Sequence, residues 1–194
     1  MIDREKEAAV GSASNPHYLD IDGEGPSPTT SHPNYVAAVP DWFWSEDDPR
    51  APFGTDDGHD TFSALQTYFA DGGRDRDVPG FVARPISGWD LVSDAIWDGA
   101  TGAVIAWLDA DAVHARFLHG QIDAYVAAAC GQFKISGGIH PSLRSSAERA
   151  LTLMELALVP WAQKTVGSET DCYDEKVAGT RAVLAAAPEQ PEEM

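Results

Sequence analysis

The chain has 194 residues, 43% of them hydrophobic, which is enough to close one ordinary core but leaves little room for a second complete domain. Thirty-one acidic residues stand against 13 basic ones, a formal net charge of -18 with a pI near 4.4. Binding nucleic acid or an anionic membrane normally requires Lys and Arg to neutralise phosphates, so neither is an expected partner; a basic protein, a bound cation or simple solubility suits this charge.

The N-terminus, MIDREKEAAV, lacks the basic start and apolar run of a signal peptide, and the expected location is cytoplasmic. Residues 1–30 mix charge with Gly, Ser, Pro and Thr and show no periodic apolar face, so they are expected to form a disordered acidic arm. Ser31 or His32 can cap a short helix over residues 33–39 that begins at Pro33 and stops at Pro40. An aromatic and acidic loop follows, holding Trp42, Phe43, Trp44 and Phe53 among Glu46, Asp47, Asp48, Asp56, Asp57 and Asp60. A second helix is expected from near Asp60 to Gly72, with Phe62, Leu65, Tyr68 and Phe69 at helical spacing.

Residues 71–88, with two prolines and two glycines in VPGFVARPISGW, are expected to be the least regular part, followed by a helix over about 88–98. Asp109 or Asp111 can then cap a long helix with Val113, Phe117, Ile122, Val126, Ala129 and Phe133 in one stripe, Gly120 marking a break or a close crossing. Gly137 and Gly138 stop it. His140 and Pro141 open another helix, ended or kinked by Pro160, and a last helix over about 170–187 turns Val177, Val183 and Leu184 inward. The expected fold is an all-α, single-domain bundle of five or six helices over residues 31–187, with a disordered tail over 188–194.

Two blocks carry a family resemblance. His32-Pro33, the pair Phe43-Trp44 and the run Pro52-Phe53-Gly54-Thr55-Asp56-Asp57-Gly58-His59-Asp60 resemble the signature of the YfeS-like bacterial proteins. The second block, AAACGQFKISGGIHPSLRSSAERAL from Ala127 to Leu151, is similar to that family's alanine-rich helix, its Gln-hydrophobic-Lys ending and the amphipathic helix after x-Pro. Together they cover about half the chain. The resemblance implies a shape rather than a chemistry. Some relatives are associated with a WGR module; no such tripeptide occurs here, so no nucleic-acid role carries over.

Trp42, Trp44, Phe53, Asp56, Asp57 and Asp60 are the expected binding or structural focus. Two readings of the loop stand side by side. Carboxylates with the His59 imidazole can ligate a divalent cation, making Asp56, Asp57, His59 and Asp60 metal candidates and a metal-dependent hydrolase the alternative function. In the other, Asp57 or Asp60 caps the helix, the remaining acids favour its N-terminal dipole, and Trp44 and Phe53 are buried anchors.

Further candidates are weaker. His32, His59-Asp60 and later aspartates imitate the residue order of helical HD phosphohydrolases, but the dyad falls at a glycine turn. Asp20, Asp22, Glu24 and Gly25 resemble the front of a calcium loop whose second half fails at Pro26, Pro28 and Ser31. His119 and Asp123, one helical turn apart, could form a catalytic pair or half a metal site, with an ordinary exposed ion pair as the simpler reading; His114 is off-register. Cys130 and Cys172 show no metal or redox spacing, and no nucleophile elbow or phosphate loop appears. No catalytic residue and no cofactor beyond that cation is assigned. The expected function is a non-enzymatic interaction module, most concretely an immunity or inhibitor protein against a basic partner; a purely structural helical domain is the third reading.

Overall fold

The computed structural model describes residues 17–20, 25–167 and 171–190. Their secondary structure is helical, with one isolated bridge, Ile139 to Glu189, and no strand among the described residues. The all-α expectation holds, and no helix of the described residues is long and apolar enough to cross a membrane.

The helices are α1 (Pro33–Ala38), α2 (Asp56–Ala70), α3 (Val78–Trp89), α4 (Asp94–Trp97), α5 (Thr101–Ala110), α6 (Val113–Ser136), α7 (Pro141–Leu153), α8 (Val159–Val166) and α9 (Asp171–Ala186). They outnumber the five or six expected for three reasons. The stretch expected to be irregular contains α3, the segment before the long helix forms α5, and the helix from Pro141 divides at a π turn, Met154–Leu158. In α3 the inward residues Val78, Val82 and Ile86 recur every four positions, while Pro85 and Gly88 lie on the exposed face. Burial on one side outweighs the poor helix propensity of the other. Pro160 has no N–H to return to the preceding turn, and the chain widens into the π turn immediately before it and then continues as α8.

Helix α6 is the axis of the molecule. From Leu118 to Ile135 nearly every residue is buried, on all faces rather than along one stripe, because α2 and α7 pack closely on it and α3, α5 and α9 cover the remainder. The stripe expected from Val113 fails at its start, where Val113 is exposed. Small side chains make the close packing possible: a Cβ on Gly131 would lie 2.9 Å from Leu65 of α2. Gly120 is such a close approach and not a break, since α6 runs through it. Gly137, at φ 81°, ends the helix in the left-handed region and donates its N–H to Phe133.

The ends are more engaged than expected. Tyr18 donates its backbone N–H to Ile135 O at 3.0 Å, and Asp20 accepts from Lys134 Nζ at 2.6 Å. The disordered arm proposed for residues 1–30 is therefore corrected for 17–20 and 25–30; residues 1–16 and 21–24, including Asp22 and Glu24, lie outside the described residues. At the other end Pro188 and Gln190 bond to the Ile139 backbone at 2.9 and 3.1 Å, and Arg144 reaches Ala187 O at 2.7 Å. The disordered tail is corrected in the same way for residues 188–190.

Candidate functional site

The aromatic and acidic loop folds onto α2, α6 and α9 through its rings. Phe43 is fully buried, Phe53 is 1% exposed and stacks on Phe62 at 4.0 Å, and Tyr35 meets Phe43, Trp44 and Phe133. Trp44 is only partly buried, a correction to its expected anchoring role; its neighbour Phe43 fills the core instead. Trp42 lies on Gly179 of α9, where an added Cβ would come within 2.6 Å of the indole, and Arg50 sits 5.6 Å above its ring. Two motif glycines serve backbone contact. A Cβ on Gly54 would fall 2.0 Å from Asp48 O, and one on Gly58 2.4 Å from Pro52 O.

Three acids of this loop have a local task. Asp48 forks onto Arg50 at 2.7 to 3.1 Å, and that hydrogen bonding holds its carboxyl below the usual range, while Arg50 also pairs with Glu175. Helix α2 begins at Asp56, four residues before the expected start. Thr55 caps it, its hydroxyl accepting from Gly58 N at 3.2 Å, so neither Asp57 nor Asp60 is the cap. Asp56 and Asp57 occupy the first turn, where the helix dipole favours them. Asp57 accepts from Arg116 of α6 at 2.6 Å, and His59 and Asp60 are exposed. No three His, Cys, Asp or Glu side chains converge on a possible metal position among the described residues, so the four metal candidates are not brought together.

Polar residues at the start of α1 and around the end of α6 act as struts. His32 and His140 each accept from the backbone N–H two residues on, Asn34 at 3.1 Å and Ser142 at 3.2 Å, opening the two Pro-initiated helices. Gln132 accepts from His140 N at 2.9 Å and donates to Asp75 O at 3.0 Å. Lys134, fully buried, holds Asp20 and Thr30 O; burial lowers its pKa, and the Asp20 hydrogen bond opposes that shift.

The cluster that sequence reasoning undervalued lies where α6 meets α9. Asp123, 3% exposed, accepts from Lys176 Nζ at 2.8 Å, and Lys176, 2% exposed, also donates to Pro49 O at 3.0 Å. His119 Nε2 stands 3.5 Å from the other Asp123 oxygen, and its ring meets Tyr173 edge-on. The expected exposed ion pair is thus a buried carboxylate shared between an ammonium and an imidazole. The i, i+4 spacing was visible in the sequence. Lys176, some fifty residues away, was not signalled by any local pattern. Beside the cluster opens a cleft of about 270 Å³ lined by Arg116, His119, Trp161 and Tyr173 with apolar neighbours. Cys130, in the same helix, is buried without a disulfide, and burial pushes its thiol up to about 12.

A second concavity, about 150 Å³, lies between α2 and α3. Its walls are Phe81, Val82, Pro85, Ile86 and Trp89 of α3, and its rim on the α2 side carries Asp57, Asp60 and Thr61. Trp89 is 40% exposed, among the most exposed large hydrophobic residues described. A broader hollow of about 610 Å³ lies under the end of α2, where Tyr68, Arg74 and Asp77 bond among themselves. Comparison with family models, with curated proteins and with solved structures finds no match in any of the three.

Proposed function

We propose that the protein is an interaction module that receives a basic side chain of a protein partner in the groove between α2 and α3. The observation that carries this reading is the exposed Trp89 ring at an apolar groove whose opposite rim holds the Asp60 carboxylate. A Lys or Arg side chain matches both features, its stem lying on the apolar walls while its charged head meets the carboxylate and the indole face. Asp57, paired with Arg116, adds a second acid to the rim, and the net charge of -18 would steer a cationic partner towards it.

In its most specific form the module is a cytoplasmic immunity or inhibitor protein against a cationic toxin. The likeness of the His32–Asp60 and Ala127–Leu151 blocks to YfeS-like proteins is part of the same proposal, as a kinship of shape. The hydrolase reading gains nothing from the convergence of Asp56, Asp57, His59 and Asp60, which do not share a position.

The test is the affinity of an arginine-bearing amphipathic peptide, measured by fluorescence anisotropy against single variants. Trp89→Ala and Asp60→Asn, both at exposed positions, should each weaken binding about tenfold, whereas Asp94→Asn, at an exposed position of α4, should not. Equal weakening by all three would reduce the interaction to diffuse charge and leave a structural domain whose acidity keeps it soluble.

A further inference from the structure

The cleft between α6, α8 and α9 has an apolar side and a polar side. Leu158, Val159, Trp161 and Ala162 supply uncharged walls, the Tyr173 ring faces them from α9, and Arg116 and His119 project from α6. Trp161 is fixed by its indole N–H, which donates to Asp109 at 3.1 Å. Such a space suits a flat hydrocarbon body with a polar group at one end.

The charges around it determine what that group is. Asp123 is matched by Lys176 at 2.8 Å, Asp57 by Arg116 at 2.6 Å and Asp109, behind Trp161, by Lys164 at 3.7 Å, so these three acids and three bases cancel. Tyr173 on α9 is neutral, its hydroxyl pKa raised by burial and then by Cys172 and Asp123. With a neutral His119 the side chains that line the cleft therefore add no unpaired charge, and among the described residues the exposed Asp56 is the one further acid acting on Arg116. Yet His119 is unsatisfied: Nε2 is enclosed, 3.5 Å from Asp123 Oδ2 and without a hydrogen bond. The side chain is 30% exposed and lines the cleft. A proton added to this ring would give Asp123 a second cationic neighbour below and present an N–H donor above. It would also leave one uncompensated positive charge, beside the largely exposed guanidinium of Arg116.

From this balance we propose that the cleft binds a small aromatic monocarboxylate, with uptake of one proton by His119. The carboxylate lies between Arg116 and His119, and the ring between Tyr173 and the Leu158 wall. Proton uptake and binding are linked: the anion stabilises the imidazolium, and the imidazolium completes the anion site. The site shares the Asp57–Arg116 pair with the α2–α3 groove but none of that groove's walls, so the two readings are tested by different probes.

Benzoate, benzyl alcohol and benzamidinium are the probes, titrated into the full chain and followed by nuclear magnetic resonance of the imidazole and tryptophan side chains. Benzoate should saturate a site that shifts His119 and Trp161, bind about tenfold more tightly near pH 5.5 than near pH 7.5, and raise the titration midpoint of His119. Benzyl alcohol and benzamidinium should bind weakly or not at all. His119→Gln should remove the pH dependence and Arg116→Gln the preference for the anion; should either variant fail to fold, the benzoate-induced change in the wild-type His119 titration decides. No saturable shift at these residues, equal benzoate affinity at both pH values, or preference for benzamidinium would overturn the proposal.

Discussion

The loop from Asp41 to Asp60 and the crossing of α6 with α9 are built from the same residue types, and they use them in opposite ways. In the loop the rings go inside and the acids stay out: Phe43 and Phe53 are buried, while Glu46, Asp47, Asp56 and Asp60 face water. At the crossing the charges themselves go inside, Asp123 and Lys176 both nearly inaccessible and the His119 imidazole beside them. Density of charge along the chain thus marks the loop, where charge costs little. Burial of charge marks the crossing, where an unpaired group would be expensive.

That contrast is most easily broken at Lys176. Lys176→Met leaves Asp123 buried without its ammonium and Pro49 O without its donor, and should destabilise the fold by about 3–5 kcal/mol in urea unfolding. Adding Asp123→Leu should recover most of that loss. A single variant as stable as wild type would mean the crossing is wetter than its accessibility indicates.

Within the loop, Phe43→Ala or Phe53→Ala should cost about 3–5 kcal/mol, while Trp44→Ala, only partly buried, should cost about 1–3 kcal/mol. Gly54→Ala comes next at about 1–3 kcal/mol, because its Cβ would meet the Asp48 carbonyl rather than a side chain that can move. Thermal melts rank all four, and an insensitive Gly54 would show that the loop backbone yields.

The alkaline limb of stability sharpens the same distinction. The Cys130 thiol titrates at about 12 when folded, above its ordinary value near 9, so its protonated form stabilises the fold fully below about pH 9. That contribution is lost as pH rises from there towards 12, at up to about 1.4 kcal/mol per pH unit. Cys130→Ala should flatten the loss between pH ~9 and ~10.5 in melting curves, and Cys172→Ala, exposed, should not. The smallest effect belongs to the rim: Asp57→Asn breaks a pair with a largely exposed arginine and should change stability by less than about 1 kcal/mol.

How much of this was legible in the sequence follows from the range of each interaction. The Pro-initiated α1 and α7, the inward face of α9 and the stop at Gly137 could be read because caps, prolines and apolar spacing are local. Helix α3 was missed because Pro85 and Gly88 argue against a helix everywhere except on a face that nothing covers. The cap of α2 was misplaced because Thr55, Asp57 and Asp60 all have capping side chains, and only backbone geometry selects among them. The arm could not be read, since Asp20 finds Lys134 more than a hundred residues away. The Lys176 half of the crossing was invisible for the same reason. The groove at Trp89 was hidden by the missed helix that forms its wall.

The most direct measurement is a backbone amide shift map of the protein with the arginine-bearing peptide, recorded at low and at physiological salt. The shifts should centre on Asp60, Thr61, Phe81 and Trp89 and keep that centre as salt weakens the binding. Shifts centred instead on Glu46, Asp47 and Asp56, or spread across the acidic surface and abolished by salt, would contradict docking in the groove.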